Sequence, residues 1–94
     1  MNRADIIENI SDKTGLTRIE VSTVLEGVLK MIESELANGG TVELRRFGTF
    51  RCVERAARRA VNPRTREPVK VPRRVMPVFK PSPKLRKAVA KVKF

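Results

Sequence analysis

The segment between residues 55 and 74 constrains the fold more than any other part of the chain. It carries eight basic side chains and a single acidic one, Glu67. Pro63, Pro68 and Pro72 recur in it, and because a proline cannot donate to a strand ladder, the segment cannot form a central strand. With so little apolar surface there, only about seventy residues remain to build a core, and monomers of that size are marginal. We therefore expect a partner subunit.

The charge of the chain is divided unevenly between its halves. Residues 1–50 hold 6 basic and 8 acidic side chains, a net charge of −2, whereas residues 51–94 hold 15 basic and 2 acidic side chains, a net charge of +13. A balanced N-terminal half beside a strongly cationic C-terminal half is typical of a scaffold that carries a polyanion-binding surface.

Composition excludes most catalytic and cofactor chemistry. The chain has no histidine and one cysteine, Cys52, so His-based acid–base catalysis, His metal sites, intrachain disulfides and multi-Cys zinc sites are excluded. It also has no glycine-rich nucleotide-binding motif. We predict no enzyme activity, no metal, no cofactor and no small-molecule substrate, and we expect Cys52 to be a small buried residue of a strand.

The N-terminus and the hydropathy pattern bear on location. Residues 1–5 contain no apolar signal core, and no run approaches the roughly eighteen apolar residues of a membrane span. These features predict a soluble, intracellular protein.

Start and stop signals predict two helices in residues 1–40. Asn2 followed by Asp5 fits an N-cap with an acidic residue in the first turn, and Thr14-Gly15 ends that helix. Thr17 and Glu20 form a capping box for a second helix.

The second predicted helix is long and amphipathic. Its apolar residues recur at the helical period over about five turns. They are Val21, Val24, Leu25, Val28, Leu29, Ile32 and Leu36. The helix ends at Asn38-Gly39-Gly40, and Gly27 inside it costs roughly 1 kcal/mol relative to Ala unless another helix packs closely there.

After the double glycine the hydrophobic period changes from helical to alternating. Residues 41–53 are predicted to form two strands joined at Arg45-Arg46, residues 54–74 a protruding two-stranded arm, residues 75–81 another strand, and residues 82–94 a helix capped by Ser82. Phe47 and Phe50 are expected to lie in the core. The alternative for residues 54–74 is a disordered basic linker, which would be richer in Ser and Gly.

Four short motifs follow one another in a characteristic order. They are Phe47-Gly48-Thr49-Phe50, Glu54-Arg55-Ala56-Ala57-Arg58, Asn62-Pro63-Arg64-Thr65 and Pro77-Val78-Phe79-Lys80. Together they make the sequence similar, over essentially its whole length, to the bacterial histone-like DNA-bending family of HU and integration host factor.

The resemblance implies an α+β fold in an intertwined homodimer or heterodimer. Each chain would contribute two N-terminal helices, a three-stranded antiparallel sheet, a protruding β-arm and a short C-terminal helix. Residues 1–94 would form a single DNA-binding domain, with dimerisation through residues 1–40.

The resemblance also implies a way of binding double-stranded DNA. In HU and integration host factor, apolar wedges at the arm tips insert between base pairs from the minor groove, and Pro63 occupies the matching position here. Basic and polar residues of the arm and body would hold the backbone. The expected DNA-binding residues are Arg3, Arg46, Arg55, Arg58, Arg59, Asn62, Arg64, Thr65, Arg66, Lys70, Arg73, Arg74, Lys80, Lys84, Arg86 and Lys87. The alternative for Arg3 is a solvated residue of the first helical turn.

Four positions depart from the family's pattern. The family usually has Gly where this chain has Arg46, Ala60 and Arg66, and a basic residue where it has Val61. Because Gly takes a positive φ without strain, its loss at the tip is expected to change the shape of the turn. Arg46 is either a DNA contact at the base of the arm or a solvated turn residue.

These features predict a dimeric, nucleoid-associated cytoplasmic protein that binds duplex DNA with little sequence specificity and bends it. A site-specific bender of the integration host factor type is one alternative. An RNA-binding or ribosome-associated protein is another, although the chain has no Tyr or Trp to stack on single strands. A peripheral membrane protein is the third, but Leu85, Val89 and Val92 make too narrow an apolar face for insertion.

Overall fold

The computed structural model describes the backbone of residues 1–94 and every side chain except that of Val71. Its elements in chain order are α1 (Arg3–Thr14), α2 (Arg18–Ala37), β1 (Val42–Leu44), β2 (Gly48–Arg55), β3 (Arg58–Val61), β4 (Pro68–Val71), β5 (Arg74–Pro81) and α3 (Pro83–Val89). Strands β1, β2 and β5 form one antiparallel sheet, and β3 pairs with β4 in a separate hairpin. The predicted α+β class is confirmed. The chain divides into two compact units, Met1–Ser34 and Glu35–Phe94.

Reciprocal hydrogen bonds cap the start of α1, as the sequence predicts. The backbone N–H of Asp5 donates to Oδ1 of Asn2 at 3.0 Å, and the N–H of Asn2 donates to Oδ2 of Asp5 at 2.9 Å. Gly15 ends the helix with a φ of 78°, in the left-handed region where only glycine is unstrained.

The start of α2 is capped in the same way. The N–H of Glu20 donates to Oγ1 of Thr17 at 3.1 Å, and the N–H of Thr17 donates to Oε1 of Glu20 at 3.0 Å. The backbone N–H of Thr17, and to a smaller extent the Thr17 hydroxyl, favours the charged Glu20 carboxylate by hydrogen bonding and holds the pKa of Glu20 below its usual value. The helix ends at Ala37, followed by Gly39 with a φ of 79°. No described helix has the length and apolar character needed to cross a membrane.

A single chain leaves much of the apolar surface of α2 uncovered. Val21 is the one buried hydrophobic side chain among those described, at 4% exposure. Val24, Val28 and Met31 are 64%, 45% and 74% exposed. Their spacing of four and three residues places them in one stripe along the helix. α2 therefore carries more apolar surface than this chain buries by itself.

An ion-paired cluster in the first unit joins α1 to α2. The Arg3 guanidinium donates to Oε2 of Glu26 at 2.9 Å, and Nζ of Lys30 lies 3.5 Å from Oε1 of the same carboxylate. The hydrogen bond from Arg3, together with the charge of Lys30, holds the pKa of Glu26 below its usual value.

We expect acid to remove the contribution of this cluster to stability. Because folding depresses the pKa of Glu26, the contribution is present above the unfolded-state value of 4.5 and is lost as the pH falls through the folded-state value. Thermal melting of wild type and Glu26→Gln from about pH 6 to about pH 3 tests this, and the melting temperature of wild type should fall more steeply. Parallel profiles for the two proteins would contradict the prediction.

The three-stranded sheet and the hairpin share one register. β2 pairs with β5 from Gly48↔Pro81 to Arg55↔Arg74, and β3 pairs with β4 from Arg58↔Val71 to Val61↔Pro68. Residues 56–57 and 72–73 interrupt the ladder between them, where Pro72 lacks an N–H to donate. The main sheet thus extends through Arg55 and Arg74, beyond the expected limits of residues 53 and 75. The arm is present as a hairpin and not as a disordered linker.

Three side chains of the second unit are less buried than the sequence predicts. The prediction that Phe47 lies in the core is wrong: its side chain is 47% exposed, although its ring contacts that of Phe79 at a centroid distance of 5.3 Å. Phe50 is half-buried and packs against the same ring at 4.8 Å. Cys52 lies in β2 as expected but is half-buried, and its Sγ–H donates to the Leu36 carbonyl at 3.2 Å.

The C-terminal helix begins where the sequence predicts but is shorter. Ser82 caps it by accepting from the N–H of Leu85 at 3.1 Å, and Pro83 occupies the first turn. The predicted extent to residue 94 is wrong, because α3 ends at Val89. There the N–H groups of Ala90 and Val92 donate to carbonyls three residues back, which tightens the last turn and ends the α-helical ladder.

Candidate nucleic-acid interface

The hairpin of β3 and β4 presents two chemically different faces. Arg59 lies directly opposite Lys70, and Val61 lies opposite Pro68. Because side chains alternate along a strand, these two pairs share one face, and Ala60 and Val69 belong to the other. The first face therefore combines two cations with an apolar pair next to the tip.

Two cross-strand pairs bring like charges together. Arg59 opposes Lys70 in the hairpin, and Arg55 opposes Arg74 at the end of the main sheet. Like charges directly opposite one another destabilise a ladder by up to about 1 kcal/mol. An anion placed against the arm would remove this repulsion, so the arrangement favours a polyanionic ligand.

Side-chain hydrogen bonds of two predicted contact residues shape the tip. Oδ1 of Asn62 accepts from the N–H of Arg64 at 2.9 Å, and Oγ1 of Thr65 accepts from the N–H of Glu67 at 3.3 Å. These bonds fix the turn around Pro63, which is exposed at its apex. Asn62 and Thr65 thus position the proline, whatever further contacts they make.

The two arginines at positions where the resemblance implies glycine adopt a backbone that favours glycine. Arg46 has a φ of 68° and Arg66 a φ of 57°, and they are the only non-glycine residues with positive φ in the described backbone. The N–H of Arg66 donates to the Asn62 carbonyl at 2.7 Å, which closes the tip. The tip turn thus contains a left-handed non-glycine residue, at a cost of about 1 kcal/mol or more in strain.

Replacing Arg46 by glycine is expected to stabilise the fold. Glycine relieves the left-handed strain, and this relief outweighs the stability lost through the added entropy of the unfolded chain. The expected net gain in the free energy of unfolding is up to about 1 kcal/mol. Arg45→Gly is the matched control, because it removes a neighbouring cation where φ is not positive and should cost about 0.5–1 kcal/mol. Urea denaturation measures both variants, and equal destabilisation would contradict the prediction.

Two of the predicted DNA-binding cations form ion pairs within the chain. Arg3 lies in the first unit and is engaged by Glu26. Nε of Arg73 lies 2.8 Å from Oε1 of Glu54, at the junction between the main sheet and the hairpin. A DNA phosphate would have to compete with these carboxylates.

A second group of cations lies on the body of the second unit. Lys80 is at the end of β5 opposite Thr49, and α3 exposes Lys84, Arg86 and Lys87. A shallow groove near the start of α3 is lined by Lys84, Arg46 and also Arg45, which the sequence pattern predicts only as a turn residue. Its position beside Arg46 was the available signal. Among the described residues, no cluster of His, Cys, Asp or Glu could hold a metal ion.

Comparison with known proteins decides the family. The family model described as "Bacterial DNA-binding protein" matches residues 1–90. The chain belongs to the HU family. HU of Thermus thermophilus is 37% identical to it over 91 residues, covering 97% of this chain and 94% of the relative, and HU of Clostridium pasteurianum is 40% identical over 80 residues, covering 85% and 88%.

Solved structures of HU proteins share the fold. An Anabaena HU in a cocrystal with DNA superposes with a TM-score of 0.89 at 30% identity, covering 98% of this chain and 100% of that one. The HU-like α+β fold expected from the resemblance is therefore confirmed. As a member of the HU family, the chain is a histone-like DNA-binding protein of bacterial type.

Proposed function

We propose that this protein is a dimeric, nucleoid-associated architectural protein of the cytoplasm that bends duplex DNA. Its arms enter the minor groove, and Pro63 inserts at the kink. The observation that carries the proposal is an exposed proline at the apex of a two-stranded arm. The like-charged pairs of that arm would be stabilised by a bound polyanion. Such a role requires no catalytic group.

The uncovered stripe of α2 supports the dimer. Val24, Val28 and Met31 are exposed in one chain, and a structure of this size needs more buried apolar surface than Val21 supplies. Gly27 lies beside the stripe, and a Cβ there would meet nothing within 4 Å in this chain, which leaves room for close approach of a partner helix. The partner is a second copy or a related chain.

Groove dimensions couple binding to bending. Paired strands lie about 4.8 Å apart before side chains are added. The minor groove of B-DNA is about 6 Å wide, whereas the major groove is about 12 Å wide and admits a two-stranded ribbon. The arm therefore fits the minor groove only if that groove opens, and kinks towards the major groove open it.

The proposed DNA-binding surface recognises the shape and deformability of the duplex more than its base sequence. Its cations suit phosphates, which position a duplex but carry no base code. Deformable steps would therefore select where the DNA kinks. A footprint confined to one sequence at physiological salt would instead support a site-specific bender.

End-to-end energy transfer on a doubly labelled duplex of about 35 base pairs, far below the persistence length of roughly 150, tests the proposal. Titration with wild type should shorten the end-to-end distance, and a minor-groove ligand such as netropsin should compete. Saturable binding with unchanged distance, or competition only by major-groove ligands, would overturn the proposed binding mode.

Affinity is expected to fall steeply with salt. Two arms and two bodies together offer enough cations for six to ten phosphate contacts, and that number predicts a loss of roughly 10³-fold or more between about 50 and about 200 mM salt. Fluorescence anisotropy at several salt concentrations gives the slope. A slope near zero would contradict phosphate binding.

A further inference from the structure

The last rung of the hairpin is apolar although the surrounding arm is cationic. Val61 opposes Pro68 immediately before the turn of residues 62–67. Val61 is 65% exposed, and Pro68 is also exposed. In the described backbone, β3 and β4 pair only with each other, and the exposure of Val61 shows that it joins no core in this chain.

A pair of cations and the apical proline flank this apolar rung on its two sides. The Arg59–Lys70 pair lies two residues away on the same face, about 7 Å along the strands. Pro63 at the apex is two residues beyond Val61 in the other direction. The apolar rung therefore separates the proline from the first pair of cations.

We propose that Val61 and Pro68 form a second apolar DNA contact behind the proline, lying against the sugar edges of the opened minor groove. Deoxyribose C–H groups line that groove, and covering them with an apolar side chain removes water from both surfaces. The contact stabilises the opened groove without adding a phosphate contact. Arg59 and Lys70 then meet the phosphates that border the same stretch.

The opposite face of the arm provides a matched control. Val69 is 43% exposed, lies opposite Ala60, and belongs to the face that does not carry the Arg59–Lys70 pair. The same substitution at Val61 and Val69 therefore changes the same chemistry on opposite faces of one hairpin.

The inference rests on the proposed function, and isosteric substitution tests it. Val61→Thr keeps the branched shape and strand preference but replaces a methyl group by a hydroxyl. We expect it to weaken binding to a gapped or pre-bent duplex about fivefold, with an unchanged salt slope because no phosphate contact is lost. Val69→Thr should bind as wild type does, and Val61→Ile should retain wild-type affinity.

Three outcomes separate the possible failures. Equal effects of Val61→Thr and Val69→Thr, or no effect of either on DNA that wild type bends, would overturn the inference alone. A lower melting temperature of Val61→Thr together with weaker binding would make the residue structural and also overturn it. Failure of wild type to bend the duplex would instead overturn the proposed function on which it rests.

Discussion

Val28→Asp is expected to abolish the dimer and with it most of the folded population. The side chain lies in the middle of the exposed stripe of α2, and the proposed interface would bury the new carboxylate without a partner. An unpaired buried charge costs on the order of 3–5 kcal/mol, which approaches the whole stability of a small domain. Light scattering gives the mass, and circular dichroism as a function of protein concentration gives the stability.

The same substitution on the opposite side of the helix serves as a control. Ile19 is 79% exposed and lies nine residues before Val28, which is two and a half helical turns and therefore the opposite side. Ile19→Asp should leave the dimer intact. Gly27→Ala gives a further test, because the two models predict opposite changes in stability. It would stabilise an isolated helix by about 1 kcal/mol but destabilise a helix against which a partner packs closely.

Two results would contradict the dimer. Wild type could have the mass of one chain at micromolar concentration, or Val28→Asp and Ile19→Asp could destabilise equally. In either case the stripe would be ordinary solvent-exposed surface.

Pro63→Ala is expected to reduce bending far more than affinity. The turn is held by hydrogen bonds that the side chains of Asn62 and Thr65 accept from backbone N–H groups, so it should persist without the proline ring. Removing the proline wedge leaves the phosphate contacts but takes away the side chain that supports unstacking at the kink. Unstacking costs a few kcal/mol per base step. We expect less than about a tenfold loss of affinity, within roughly 1.4 kcal/mol, while the change in energy transfer falls by about half or more.

Pro77→Ala makes the same chemical change in β5, away from the tip, and should bend DNA as wild type does. Thermal melting of all three proteins controls for folding. Parallel loss of folding, binding and bending in Pro63→Ala would show that the proline is structural.

Local signals in the sequence predicted the local structure well. The capping residues Asn2, Thr17 and Ser82 each form the predicted hydrogen bond, because a cap depends only on residues three positions away. The change of hydrophobic period after Gly40 located the sheet, because this pattern also depends only on residues close together in the sequence. The arm followed from its prolines and its turn tip.

What the sequence could not supply depends on distant or external partners. The ion pair between Arg3 and Glu26 joins residues 23 positions apart, and no local pattern indicates it. Hydrophobic spacing indicated that Val28 and Phe47 pack against apolar surface, but it could not indicate whether that surface belongs to the same chain or to a partner. The early end of α3 also lacks a signal, since neither Gly nor Pro follows Val89.

The common register across the gap between sheet and hairpin has a mechanical consequence. Strand pairing is interrupted at residues 56–57 and 72–73. The two-stranded ribbon is least stiff there, because the inter-strand hydrogen bonds that stiffen it are absent. The rungs on either side fix the same alignment, so the strands cannot slide past each other. A bend at this interruption would leave the length of the arm unchanged, and a force on Pro63 would pass to the main sheet at Arg55 and Arg74 without a shift of register.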